Sequence, residues 1–87
     1  MTPVGTIDGL VGELVRLFRY VLRDQSVDEN TDILDAGGSS LTAVRLVAHI
    51  REELGRDVDL ADILDHGTPR RLAAVVASAP EWDDDDI

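Results

Sequence analysis

The chain has 87 residues, enough for one small domain with one core and too few for a second. Hydrophobic residues make up 44% but aromatics only 3%, so the core must come from Leu, Val, Ile and Ala, which suits packed helices better than an aromatic-rich sheet. Eighteen acids against eight arginines give a formal net charge of −10, which disfavours nucleic acid and favours partners with basic patches, and the lack of cysteine excludes disulfides, thiolate metal sites and a cysteine nucleophile.

Residues 1–5 read as an N-terminal extension. They show no basic and then apolar leader pattern, and no apolar run approaches the length of a membrane span, so a cytoplasmic protein without membrane attachment is expected. A single domain is expected over residues 6–79. Its first helix runs from Thr6 to Leu22, because Ile7, Leu10, Val11, Leu14, Val15, Phe18, Val21 and Leu22 recur at three- and four-residue spacing. Thr6 suits the N-cap, Asp8 the first turn, and Arg16, Arg19 and Arg23 the negative C-terminal end.

From Arg23 to Gly38 the periodicity lapses into a long polar loop, with Val27 and the pair Ile33 and Leu34 as its expected anchors. A second helix is expected from Ser40 to Leu54, stopped by Gly55. At about 100° per residue its apolar positions divide into two groups. Ala43, Leu46, Val47, Ile50 and Leu54 form a core stripe, whereas Leu41, Val44 and Ala48 gather on the other side beside Arg45 and Arg51. An apolar strip that the core does not use is a candidate recognition surface, the bland alternative being that Leu41 and Val44 pack under the long loop.

Arg56 to Asp59 read as a polar link with Val58 turned inward, and Leu60 to Leu64 as a short helix with Leu60, Ile63 and Leu64 on its apolar side. Thr68 and Pro69 are strong start signals for a last helix ending near Ser78, with Leu72, Ala73, Val75 and Val76 available for burial. Residues 80–87 combine a helix breaker with an acid run and read as a solvated, flexible tail, with Trp82 either folded back or loose. The fold expected is therefore all-α, a small bundle of three longer helices and one short third helix.

Gly37-Gly38-Ser39-Ser40-Leu41 is the candidate chemical centre. On physics alone a loop with a capping serine and no chemistry remains open. A serine nucleophile is the poorer alternative: His49 lies nine residues beyond Ser40 in the same helix, more than ~12 Å along the axis at about 1.5 Å per residue. The stretch does suit a covalently attached anion, because a phosphate ester at a helix N-terminus meets free N–H groups and the positive dipole end. His49 and His66 lack convergent carboxylates, and Asp57, Asp59, Asp62 and Asp65 lack the glycine and glutamate of a calcium loop, so no metal is expected.

Ile33-Leu34-Asp35-Ala36-Gly37-Gly38-Ser39-Ser40-Leu41 resembles the core motif of the phosphopantetheine-dependent carrier proteins, and more closely the peptidyl carrier (thiolation) branch of nonribosomal peptide synthesis than the fatty-acid branch. The resemblance covers residues 6 to 79, including the Thr-Pro entry to the last helix, and implies a four-helix bundle of acyl-carrier type. In that family the attachment serine directly precedes leucine, which places 4′-phosphopantetheine, delivered from coenzyme A, on Ser40, with Gly37, Gly38 and Ser39 around it. Leu41, Val44, Arg45 and Ala48 fall where carriers dock their enzymes. Two positions depart from the family: Ala36 replaces the usual leucine, and Ser39 the usual histidine or aspartate, which removes a familiar contact with the transferase.

The resemblance implies a non-catalytic, monomeric carrier of an aminoacyl or peptidyl thioester. Its partners would be a phosphopantetheinyl transferase, an adenylating loading enzyme, and condensing, tailoring or releasing enzymes. A carrier of polyketide or fatty-acyl groups is the nearer alternative, and an unmodified helical interaction domain the farther one. Met1 and the acidic tail favour a free-standing protein over a domain cut from a synthetase.

Overall fold

The computed structural model describes residues 6–82. Four helices form the bundle: α1 (Ile7–Leu22), α2 (Ser40–His49, continued by the π-helical turn Ile50–Leu54), α3 (Leu60–Asp65) and α4 (Pro69–Ser78). The all-α expectation holds, and the only strand-like pairing among the described residues is a single antiparallel bridge between Arg56 and Glu81. Among the described residues no helix is long and apolar enough to cross a membrane.

Each helix starts where a side chain can satisfy its first free N–H groups. Thr6 accepts from Gly9 N, Ser39 from Thr42 N, Asp59 from Asp62 N and Thr68 from Arg71 N. Asp59 and Asp62 form a reciprocal capping box, so these two acids start α3. The second helix reaches Leu54 and ends at Gly55 as expected, but its last turn widens from α to π geometry at Ile50.

α1 packs along both α4 and α2. It therefore buries a wider arc than one stripe, and Leu17, outside the expected stripe, joins Leu10, Val11, Leu14 and Phe18 in the core. Ile33, Leu46, Ile50, Ile63, Leu72 and Val76 complete that core, each side chain contributing about 1.5–3 kcal/mol of apolar burial. No polar or charged side chain among the described residues is buried.

Three expected core residues lie outside. Ile7 in the first turn of α1 is exposed, as is Leu64, since the six-residue α3 offers one inward position, which Ile63 fills. Leu34 is 47% exposed because Asp32 Oδ1 accepts from its N–H, turning the chain so that Ile33 alone faces the core. The long loop is nevertheless fastened along its length. Val27 is buried, and its carbonyl accepts from Arg19 Nε at 2.9 Å. The Arg70 N–H donates to Glu29 O at 3.0 Å, and the Ile33 N–H to Gly67 O at 2.9 Å.

Trp82 folds back onto the bundle. Its N–H donates to Gly55 O at 2.9 Å, the Asp57 N–H donates to Pro80 O at 2.8 Å, and the Arg51 guanidinium stands 4.5 Å from the centre of the Trp82 ring. The acid run 83–87, expected to be flexible, and the N-terminal extension 1–5 lie outside the described residues.

Candidate functional site

The end of the long loop is shaped by its two glycines for different reasons. Gly37 takes φ +92°, a conformation that a side chain opposes. Gly38 has a negative φ but no room: a Cβ there would stand 2.5 Å from the Ile33 carbonyl oxygen, which already accepts from Gly38 N at 2.9 Å. Ala36 N donates to Asp32 O at 2.9 Å and Gly37 N to Leu34 O at 3.1 Å, so a closed turn delivers the chain into α2.

The two serines then divide. Ser39 is the N-cap: its Oγ accepts from Thr42 N at 3.3 Å, and its own N–H donates to Thr42 Oγ1 at 3.1 Å. Ser40 is the first helical residue, exposed, and its hydroxyl has no hydrogen-bond partner among the described residues. The cap is thus supplied by the neighbour, leaving the Ser40 Oγ at the positive helix end. No acid sits in the first turn of α2 or of α4, whereas α1 and α3 carry Asp8 and Asp62 there. That end is electrostatically uncompensated and fits a phosphate ester.

Downstream of Ser40, Leu41 is 60% and Val44 49% exposed, and Arg45 and Ala48 are exposed too. Leu41 and Val44 do not pack under the loop. They form an open apolar strip beginning next to the Ser40 hydroxyl, while Ala43, Leu46 and Val47 face the core. Tyr20, 67% exposed at the end of α1, meets the His49 ring edge-on at 5.0 Å between centroids, a neighbour of this strip that periodicity within either helix does not reveal.

The family model for the phosphopantetheine attachment site matches residues 10–76. The chain belongs to this family. Its members carry 4′-phosphopantetheine covalently, and the matched span includes the whole turn from Gly37 to Leu41.

Among curated relatives, the chain is 39% identical over 80 residues to pyochelin synthetase PchF of Pseudomonas aeruginosa, covering 85% of this chain and 4% of that protein. It is 34% identical over 76 residues to vanchrobactin synthetase VabF of Vibrio anguillarum, with 87% and 3% covered. Surfactin synthase subunit 1 of Bacillus subtilis is 31% identical over 72 residues, with 83% and 2% covered. The chain thus spans only a few hundredths of the length of these relatives. Among solved structures, BlmI, a type-II acyl-carrier protein from Streptomyces verticillus involved in bleomycin biosynthesis, superposes with a TM-score of 0.75 at 18% identity, covering 80% of this chain and 84% of that one, a likeness of fold. The family recognised from the Gly37–Leu41 motif and the carrier-type bundle are both borne out.

Proposed function

We propose that Ser40 Oγ carries the phosphopantetheine arm and that the domain conveys an aminoacyl or peptidyl group between enzymes of nonribosomal peptide or related secondary-metabolite synthesis. The observation that carries this reading is the Ser40 hydroxyl, without a hydrogen-bond partner among the described residues, on a helix end whose cap is made by Ser39. A relative named as a probable non-canonical nonribosomal peptide synthetase, CymA of Salinispora arenicola, 38% identical over 66 residues, supports the aminoacyl class over a fatty-acyl one.

In the loading step, Ser40 Oγ bonds to the β-phosphorus of coenzyme A, the pyrophosphate P–O bond breaks, adenosine 3′,5′-bisphosphate leaves, and the hydroxyl proton passes to a base of the transferase. Once bound, the arm supplies a terminal thiol that holds the cargo as a thioester. The chain's own residues hold and present it: the α2 N-terminus stabilises the phosphodiester charge, Gly37, Gly38 and Ser39 fix the approach, and Leu41, Val44, Arg45 and Ala48 offer the surface that partners read. The protein is on this reading non-catalytic, monomeric and cytoplasmic. It is served by a phosphopantetheinyl transferase, an adenylating enzyme, and condensing, tailoring or releasing enzymes.

Intact-mass measurement after incubation with coenzyme A and a broad-specificity transferase tests it. One phosphopantetheine gained by wild type and none by Ser40→Ala is the expected result; no gain on wild type, or an undiminished gain on Ser40→Ala, sinks the assignment. Acceptance of the holo protein by an adenylating enzyme rather than a malonyl-transferring one separates the aminoacyl class from the polyketide and fatty-acyl class.

A further inference from the structure

A groove of about 670 Å³ lies between the C-terminal end of α1 and the flank of α2, lined by Arg19, Tyr20, Arg23, Gln25, Arg45 and His49 together with Val21. Its charge is opposite to that of the chain. In a protein with eighteen acids, six of the eight arginines have a partner within the fold: Arg16, Arg51 and Arg70 are paired with carboxylates, and Arg19, Arg56 and Arg71 donate to backbone carbonyls. The two guanidinium groups without a hydrogen-bond or ion-pair partner among the described residues are those of Arg23 and Arg45, and both line this groove.

Arg23 carries a second mark. It occupies the left-handed position that ends α1, φ 54° and ψ 44°, where glycine is the usual occupant. It is the one non-glycine residue with positive φ among the described residues, and a side chain there is disfavoured relative to glycine. The nearby acids are engaged elsewhere: Asp24 Oδ1 accepts from Ser26 N and Oγ, and Glu53 is shared between Arg16 and His49. Tyr20, one of only three aromatic residues, is spent on an exposed position in the same groove, and exposed tyrosine beside arginine is the composition of interface hot spots.

We propose that this groove is an electrostatic docking site for a carboxylate-rich segment of a partner protein, with Arg23 and Arg45 as its two charge contacts and Tyr20 as its apolar anchor. Net charge alone points to basic partners, but contact is decided locally, and here the local field is positive. Arg45 follows Leu41 by four residues and so lies on the same face of α2, which joins the groove to the exposed strip beside Ser40. That the partner is a biosynthetic enzyme rests on the carrier reading; the charge chemistry of the groove does not.

The test is a two-dimensional ¹⁵N–¹H titration of the full chain with hexaglutamate, repeated with inorganic phosphate at equal charge concentration. Saturable shifts are expected at the amides of residues 20–25 and 45–49, weakening about threefold or more between 50 and 250 mM salt as screening grows. Arg23→Gly relieves the left-handed strain, so it should melt at or above wild type while its peptide affinity falls about fivefold, the loss of one charge-assisted contact. Arg23→Lys should retain affinity within about twofold, since a point charge persists. Shifts spread evenly or centred on Arg56 and Arg71, equal shifts from phosphate, or undiminished binding by Arg23→Gly would each overturn the proposal. Failure of the carrier reading would appear instead in the mass measurement, which the titration does not depend on.

Discussion

Gly38 and Ile33 are joined by a hydrogen bond that leaves no space for a side chain: the Gly38 N–H donates to the Ile33 carbonyl at 2.9 Å, and a Cβ on Gly38 would stand 2.5 Å from that same oxygen. Ile33 Cγ1 at 3.0 Å and Leu22 Cδ2 at 3.2 Å close the other sides. Relief would require breaking the bond that aims the chain into α2. Gly38→Ala is therefore expected to lower stability by about 1–3 kcal/mol, as overpacking does. Gly12, inside α1 with nothing within 4 Å of an added Cβ, gives the opposite sign: Gly12→Ala should stabilise by about 0.5–1 kcal/mol through helix propensity. Urea denaturation of the two variants checks both.

The adjacent serines should separate in two independent measurements. Ser39→Ala removes the side-chain half of the capping box and is expected to cost about 1 kcal/mol, while the mass gain with coenzyme A persists. Ser40→Ala removes a hydroxyl that caps nothing, so stability should stay within about 0.5 kcal/mol of wild type while the mass gain disappears. Thermal melts and intact mass on the same samples decide; a swapped pattern would place the arm on Ser39.

Helix starts and the turn at the site were legible because their signals are local. Thr6, Ser39 and Thr68-Pro69 act within three residues of where they stand, and Gly37-Gly38-Ser39-Ser40-Leu41 is contiguous. Asp59 and Asp62 had the same capping spacing, but the surrounding acids masked it. What the sequence concealed depends on contacts between distant segments. Leu17 is buried because α1 meets two helices, and Trp82 is docked because Gly55, more than twenty residues earlier, offers its backbone N–H a carbonyl while the Asp57 N–H holds Pro80. The groove arises in the same way: Tyr20 and His49 become neighbours only when α1 and α2 pack. Arg23 in a left-handed cap runs against residue preference, and no local pattern announces it.

Glu53 ties the π-helical turn to α1, and its effect should depend on pH. The hydrogen bond with His49 Nδ1, at 2.9 Å, and then that from Arg16 hold its carboxyl below the ordinary value of 4.5. A carboxyl whose pKa is lowered by folding adds stability that is complete above its unfolded value and is lost as pH falls through the folded one. Glu53→Gln should thus destabilise at pH 7 by about 0.5 kcal/mol, the scale of an exposed ion pair, and match wild type once both are well below pH 4.5. Denaturation midpoints at pH 7 and pH 3 give the comparison, and an equal difference at both values would remove Glu53 ionisation as the cause.

Val44 offers a way to disturb partner recognition without disturbing the fold. It is 49% exposed on α2, one turn from Ser40, whereas its neighbour Ala43 is fully buried, so a charge at 44 faces water and should leave stability within about 0.5 kcal/mol of wild type. A partner that covers the Leu41–Val44–Ala48 strip would instead have to desolvate that charge, at a cost of about 1–3 kcal/mol without a matching donor. Val44→Asp should then accept the arm from a broad-specificity transferase in a long incubation, yet load from the adenylating enzyme with KM raised about tenfold or more, the factor that 1.4 kcal/mol produces. Ala74→Asp, a charge at an exposed position of α4, is the control and should load like wild type. Steady-state loading of the two holo variants decides: if Val44→Asp keeps its fold and loads as readily as Ala74→Asp, the strip beside Ser40 is surface and nothing more.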